Sequence, residues 1–301
     1  MLQTAQTDLR WNTESSPSAI HSALTILAGK TLPEPALHES MLVSAALLQD
    51  MLQRMAMRRT GLAAMFVNQL MFQSARIGNN HELAEFSLRK TMGNGFPQSL
   101  KVEVAQFATA AEQAFNAHYP EWREIAAVFN SSRQLHWMTY GQRILDSAVF
   151  LTEPALAPAA AEFVPLYCAG IGQPYVDVLS NLVLSEFQPD QDEYESAMQI
   201  VWLALTLNLE LDSLHGGMRR DEAVELGRMA LVPVLLASAH GDQRATFDEE
   251  ELKRLLTSWN LPAGKQVVQT LIRWWDVYST RRPQWQTAMM GLKHMLTTDT
   301  Q

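Results

Sequence analysis

Apolar residues recur along nearly the whole chain at intervals of three and four, the spacing that gathers them on one face of a helix. Between Pro35 and Arg59, Leu37, Met41, Leu48, Leu52 and Met55 are separated by 4, 7, 4 and 3 positions and share a face. Pro35 suits a first helical turn, where its missing N–H costs nothing, and Arg58 and Arg59 place positive charge against the C-terminal end of the helix dipole. Gly61 then breaks the pattern. Tyr194, Met198, Trp202, Leu205 and Leu209 form a second stripe, and Val176, Leu179, Val183 and Phe187 a third. Asp248 to Glu251 make an acidic first turn, and Asn260, Leu261 and Pro262 end the helix that follows.

This grammar predicts helices over roughly 18–29, 35–59, 62–77, 80–92, 97–117, 121–130, 132–151, 157–170, 174–187, 191–210, 220–240, 248–259, 263–280 and 283–297. Alternating β patterns are scarce. The expected fold is therefore all-α, with about 12–14 helices in a compact multi-helix domain or two stacked bundles. A degenerate α-solenoid is the alternative, although no helix-pair repeat of about 34 or 40 residues is legible. Glu-Pro-Ala-Leu occurs at 34–37 and again at 153–156, which proline at helix starts explains without a duplication. Pro154 and Pro158 punctuate a junction at 152–160. The chain is thus read as a flexible segment 1–17, a helical half 18–151 and a helical half 152–301, the two halves packed as one unit.

The composition narrows the function classes. The 301 residues are 47% hydrophobic and 18% charged, too apolar for a disordered chain. A net charge of -9 argues against general nucleic-acid binding. One cysteine, Cys168, excludes a disulfide framework or a multi-cysteine metal site, and its apolar neighbours suggest an inert buried thiol. Asp8, Arg10 and Glu14 interrupt what an export signal would need to be apolar, and the longest apolar runs, 229–239 and 201–207, are short of a membrane span. A cytoplasmic location without a transmembrane segment is expected. Charge is uneven: residues 188–256 carry 14 acids and 6 bases, and residues 257–301 carry 2 acids and 5 bases.

Most chemical motifs fail on spacing. His81 and Glu85 begin like a helical zinc motif, but Glu85 stands where the second histidine is required, so no metal is expected. Gly264-Lys265 is followed by Gln266 rather than Ser or Thr, which removes a phosphate loop, and Gly170-x-Gly172 lacks its third glycine. Asp190-x-Asp192 lacks the glycine and glutamate of a calcium loop. No cofactor is implied. Asn130-Ser131-Ser132 is a glycosylation sequon that matters only in an exported chain.

Three features remain. Trp274 and Trp275 are adjacent, and consecutive helical positions lie about 100° apart, so one ring is expected near the surface or in an interface. With Arg281, Arg282 and Trp285 they form the candidate partner-binding surface, built from residue types enriched at binding hot spots. Met51, Met55, Met57, Met65 and Met71 would fill a core or line an adaptable surface. The loop 214–221 brings two glycines and two arginines to a helix start, where Asp221 and Glu222 compete with any anion. The reading is a non-enzymatic helical interaction protein, an adaptor, scaffold or assembly subunit, docking another protein or itself through helix faces. The alternative is a helical-bundle enzyme or ligand binder, with His81, His136, His215 and His240 as groups to test for convergence.

Overall fold

The computed structural model describes residues 7–167, 174–186, 191–241 and 248–298. Its helices follow the sequence periodicity closely. After a short strand β1 (Asp8–Trp11) come α1 (Ser16–Leu27), α2 (Pro35–Arg58), α3 (Leu62–Ser74), α4 (Asn80–Met92) and α5 (Gln98–His118). Next, α6 (Trp122–His136) continues through a π-helical turn, Trp137–Gly141, into α7 (Gln142–Leu151). Beyond strands β2 (Ala160–Leu166), β3 (Tyr175–Asp177) and β4 (Leu182–Glu186) lie α8 (Glu193–Leu209), α9 (Arg220–His240), α10 (Glu249–Ser258), α11 (Lys265–Arg281) and α12 (Trp285–Thr298). Helix ends are made by local chemistry: Asn79, Asp192 and Asp248 side chains accept the first free N–H groups of α4, α8 and α10.

The mostly helical fold holds a small four-stranded sheet, three of whose strands fall where helices were expected over 157–170 and 174–187. Its order is β1-β2-β4-β3, with β1/β2 and β2/β4 parallel and β3/β4 a hairpin turned at Asn181. The sheet lies between two helical cores. Val164, Leu166, Leu182 and Leu184 face the first core, built on α1–α5, whereas Ala161, Phe163 and Val183 face the second, built on α7–α12. A strand buried on both faces reads as an unbroken apolar run, and its period of two disappears. The stripe Val176, Leu179, Val183 and Phe187 is therefore not a helix face: Val176 and Val183 pair across the hairpin, and Leu179 sits at its turn. Phe187 lies outside the described residues.

Pro165 sits inside β2 at no cost to the ladder. Asn12 N–H bonds to the Phe163 carbonyl, and Glu162 N–H bonds to the Asn181 carbonyl, so odd-numbered β2 residues face β1 and even-numbered ones face β4. Pairing with β1 ends at Trp11 opposite Phe163, and the nitrogen of Pro165 points where no strand follows.

From Thr7 onward the described residues of the N-terminal segment are tied to the sheet and its neighbours. Thr7 Oγ1 donates to the Pro158 carbonyl, Trp11 stacks on Phe163 at 5.1 Å, and Asn12 donates to Glu162 and to the Ala75 carbonyl. A four-residue strand is too short to announce itself by alternation. Trp122 and Ala126 belong to the first core and Trp137 to the second, so α6 and the turn after it pass from one core to the other. α9 is long and apolar enough by length and composition to cross a membrane, but 78% of its apolar window is buried as a core helix.

Gly141 closes the π turn under Trp137. A Cβ there would lie 2.3 Å from Trp137 Cε3, and the ring is buried. Gly141→Ala is expected to cost about 1–3 kcal/mol through overpacking. A lowered urea midpoint checks this, and an unchanged midpoint would mean that the ring moves aside freely.

Candidate functional site

The five residues of the expected Trp/Arg surface part company. Trp274 and Trp275 are both buried, at 3% and 1% exposure, and Trp285 is buried with them. Trp274 donates its indole N–H to the Ala288 carbonyl and stacks on Tyr278 at 4.9 Å. Adjacent rings can both be internal because α12 covers one side of α11, while α9 and α10 also pack against it. The tryptophans thus present no docking face. Arg281 and Arg282 are exposed, with the Arg282 guanidinium 5.1 Å over the Phe150 ring.

The other candidates resolve in the same plain way. Met51, Met55 and Met71 fill the first core, whereas Met57 and Met65 reach solvent. In the 214–221 loop Gly216 and Gly217 take positive φ, Arg219 pairs with Asp221, and Arg220 pairs with Glu210. Glu85 is occupied by Arg89 and Lys101, whose ammonium holds its carboxyl below the usual range. Cys168, Gly170, Gly172 and Asp190 lie outside the described residues. The four histidines do not converge. His81 is exposed at the start of α4, His215 is buried against the Leu209 carbonyl, His240 pairs with Glu251, and His136 lines a cavity elsewhere. Among the described residues no group of three metal-ligating side chains forms.

What the fold does bring together is centred on α6. From Ile125 to Gln142 the only charged side chain is Arg133, and Arg133 is buried. The outward face of this stretch shows Ile125, Val128, Leu135 and Met138 among uncharged Ala127, Ser131, Ser132, Gln134 and Thr139, with Val128 72% and Met138 73% exposed. Their spacing of 3, 7 and 3 keeps them within one arc, and at 1.5 Å per residue the strip runs about 20 Å. Along α6 and α7 charged residues return at its ends, Glu121, Arg123 and Glu124 at one and Arg143 and Asp146 at the other.

Two cavities flank this ridge. One, of about 380 Å³, lies between the outer edge of β1 and α6 with the turn after it, lined by Thr7, Asp8, Leu9, Trp11, Gln134, Trp137 and Met138. The other, of about 240 Å³, lies between α6 and the start of α8, lined by Phe129, Ser132, Arg133, His136, Gln191 and Ser196. Burial pushes the Arg133 guanidinium down to about 9, and burial chiefly keeps His136 below the ordinary imidazole value. A wider cleft of about 740 Å³ between α3 and α9 carries Glu210, Asp221 and Glu225 beside Arg220 and Arg228, charges that largely answer one another.

A separate buried polar pair stands at the carboxyl end of β4. His21 Nε2 on α1 lies 2.6 Å from Glu186 Oε1, and the edge of the Tyr175 ring packs beside His21 at 5.9 Å. Burial and the Glu186 charge push the Tyr175 hydroxyl up to about 12.

No family model, curated protein or solved structure matches this chain. Function therefore has to be argued from the geometry alone. Pattern reading split the ridge between two helices, 121–130 and 132–151, and so missed it. The available signal was compositional: eighteen consecutive positions with a single charged residue, in a chain that is 18% charged.

Proposed function

We propose that this chain is an interaction protein that docks an amphipathic helix of a partner along the α6 ridge. The observation that carries the reading is the uncharged, solvent-facing strip Ile125, Val128, Leu135 and Met138, bordered on both sides by cavities. Apolar anchors of a bound helix fit such a surface at the spacing the ridge itself uses. The ends set a polarity: Glu121 and Glu124, beside an Arg123 that already pairs with Glu14, favour a basic end of the partner, and Arg143 favours an acidic one. The acidic block 188–256 would add steering toward a basic partner at low ionic strength.

The test pairs Val128→Asp with Leu135→Asp. Both positions are exposed, so folding should change by no more than about 0.5 kcal/mol per substitution. The expected result in native mass spectrometry of protein purified gently from its source is a complex for the wild type, and only the 33.8 kDa chain for the double variant. The same bound mass on both would sink the ridge as the docking face.

A further inference from the structure

We propose that Ser40, His118 and Glu34 form a hydrolytic triad for small carboxylic esters, between the first turns of α2 and the end of α5. Ser40 Oγ lies 2.8 Å from His118 Nε2, and His118 Nδ1 lies 3.5 Å from Glu34 Oε1. Nucleophile, base and orienting carboxylate stand in that order, and such a set is recognised by geometry and role rather than by sequence position. The fold fixes each member. Ser40 rides on α2, which packs against α5, and His118 is the last residue of α5. Glu34 precedes Pro35 at the N-cap of α2, and its other oxygen accepts the Tyr119 hydroxyl at 2.7 Å. The Tyr119 ring stacks on the buried Phe115, so the carboxylate is tied to the first core.

The carboxylate decides which ring nitrogen carries the proton. A neutral imidazole has one N–H and one lone pair, and with Nδ1 turned to Glu34 the N–H belongs on Nδ1 and the lone pair on Nε2. Ser40 holds the hydroxyl at that lone pair. The Ala36 and Leu37 carbonyls, at 2.8 and 3.1 Å, compete for its proton as carbonyls do for serines in many helices. A carbonyl accepts a hydrogen bond without taking the proton, whereas imidazole takes it. In the reaction Ser40 Oγ bonds to the acyl carbon of the ester while its proton passes to Nε2. The C–O bond to the alcohol then breaks, and the alcohol leaves with that proton. Water repeats the sequence on the acyl-serine, releasing the acid and restoring Ser40. The Ser40 side chain leans toward the N-terminus of α2, whose first N–H groups the Glu34 side chain does not cap. That end of the helix dipole favours the acyl oxygen as it becomes negative. The His118 and Glu34 side chains are 22% and 39% exposed, so the site grips little beyond the reacting carbonyl. Esters of short acids with a good leaving group ask least of such a site.

A second serine–histidine pair supplies the control. Ser132 Oγ lies 3.4 Å from His136 Nε2 on α6, but His136 Nδ1 meets no hydrogen-bond partner among the described residues. The triad stands apart from the α6 ridge and does not depend on a docked partner. The whole chain is treated with an alkyl fluorophosphonate, whose phosphorus takes a serine oxygen and loses fluoride, and peptide mass spectrometry places the label. Ser40 should be labelled at least about 10²-fold faster than Ser132, and His118→Gln should slow Ser40 by a similar factor. The wild type should turn over p-nitrophenyl acetate and Ser40→Ala should not. Glu34→Gln should lower kcat at least about tenfold with KM unchanged, as loss of a positioning residue does. The comparison of two serines in the wild type needs no variant to fold, and circular dichroism checks the variants. Labelling no faster at Ser40 than at Ser132, or ester turnover unchanged by Ser40→Ala or by Glu34→Gln, would overturn the proposal.

Discussion

Trp275→Ala is expected to destabilise the folded chain by about 3–5 kcal/mol, the range for emptying a large aromatic from a core. Arg281→Ala, six residues on, should change stability by no more than about 0.5 kcal/mol. The contrast follows from what each side chain touches. Trp275 is 1% exposed in the second core, where Trp274, Tyr278 and Trp285 complete an aromatic group around α11. Tyr278 fixes that group to the end of α7 by donating its hydroxyl to the Leu151 carbonyl. An alanine leaves a space that these neighbours, already stacked and hydrogen-bonded, refill only partly. Domains are typically stable by about 5–15 kcal/mol, so the loss should be plain in a urea titration. A small effect at Trp275, equal to that at Arg281, would mean that its ring reaches solvent as adjacency in the sequence suggested.

That comparison shows what the pattern of residues carries. Helix faces were legible where the buried residues keep to one stripe: α2 buries Leu37, Met41, Leu48 and Met55 on one side and nothing opposite. The pair Trp274–Trp275 was misread because α11 is covered on more than one side: its buried arc is wide enough to take both rings, while Gln269, Arg273 and Asp276 keep the remaining face polar. The same cause hid the sheet. β4 is buried along all five residues, and β2 along most of its length, so neither alternates. The α6 ridge failed for the opposite reason. Its apolar positions look like a core face, and only the finished packing shows that Ala126, Asn130 and Arg133 take the interior while Val128 and Leu135 face water. The cavity beside it joins α6 to residues about sixty positions later, a distance over which one sequence offers no pairing signal.

The second large effect concerns His21 and Glu186. Glu186→Leu alone is expected to cost about 1–3 kcal/mol, because it leaves the His21 ring buried without the carboxylate that meets it. His21 is fully buried, and its Nδ1 already finds no hydrogen-bond partner, so Nε2 is the ring's one polar attachment among the described residues. Replacing both partners, His21→Leu with Glu186→Leu, should recover most of the loss and end within about 1 kcal/mol of the wild type, since a buried polar pair is often matched by apolar residues of similar volume. A double-mutant cycle in urea measures this, and additive single effects would show that the two groups do not depend on each other. Alkaline titration supplies a check through Tyr175. Its hydroxyl is held near 12 against an ordinary value of about 10, so the folded state keeps the proton that the unfolded chain gives up. That contribution is complete below about pH 10 and fades as pH rises to about 12. Removing Glu186 takes away one of the two causes of the shift, so the alkaline loss of stability should shrink in Glu186→Leu while the burial contribution persists. A Tyr175 titration indifferent to Glu186 would separate the hydroxyl from the pair and leave burial as its sole cause.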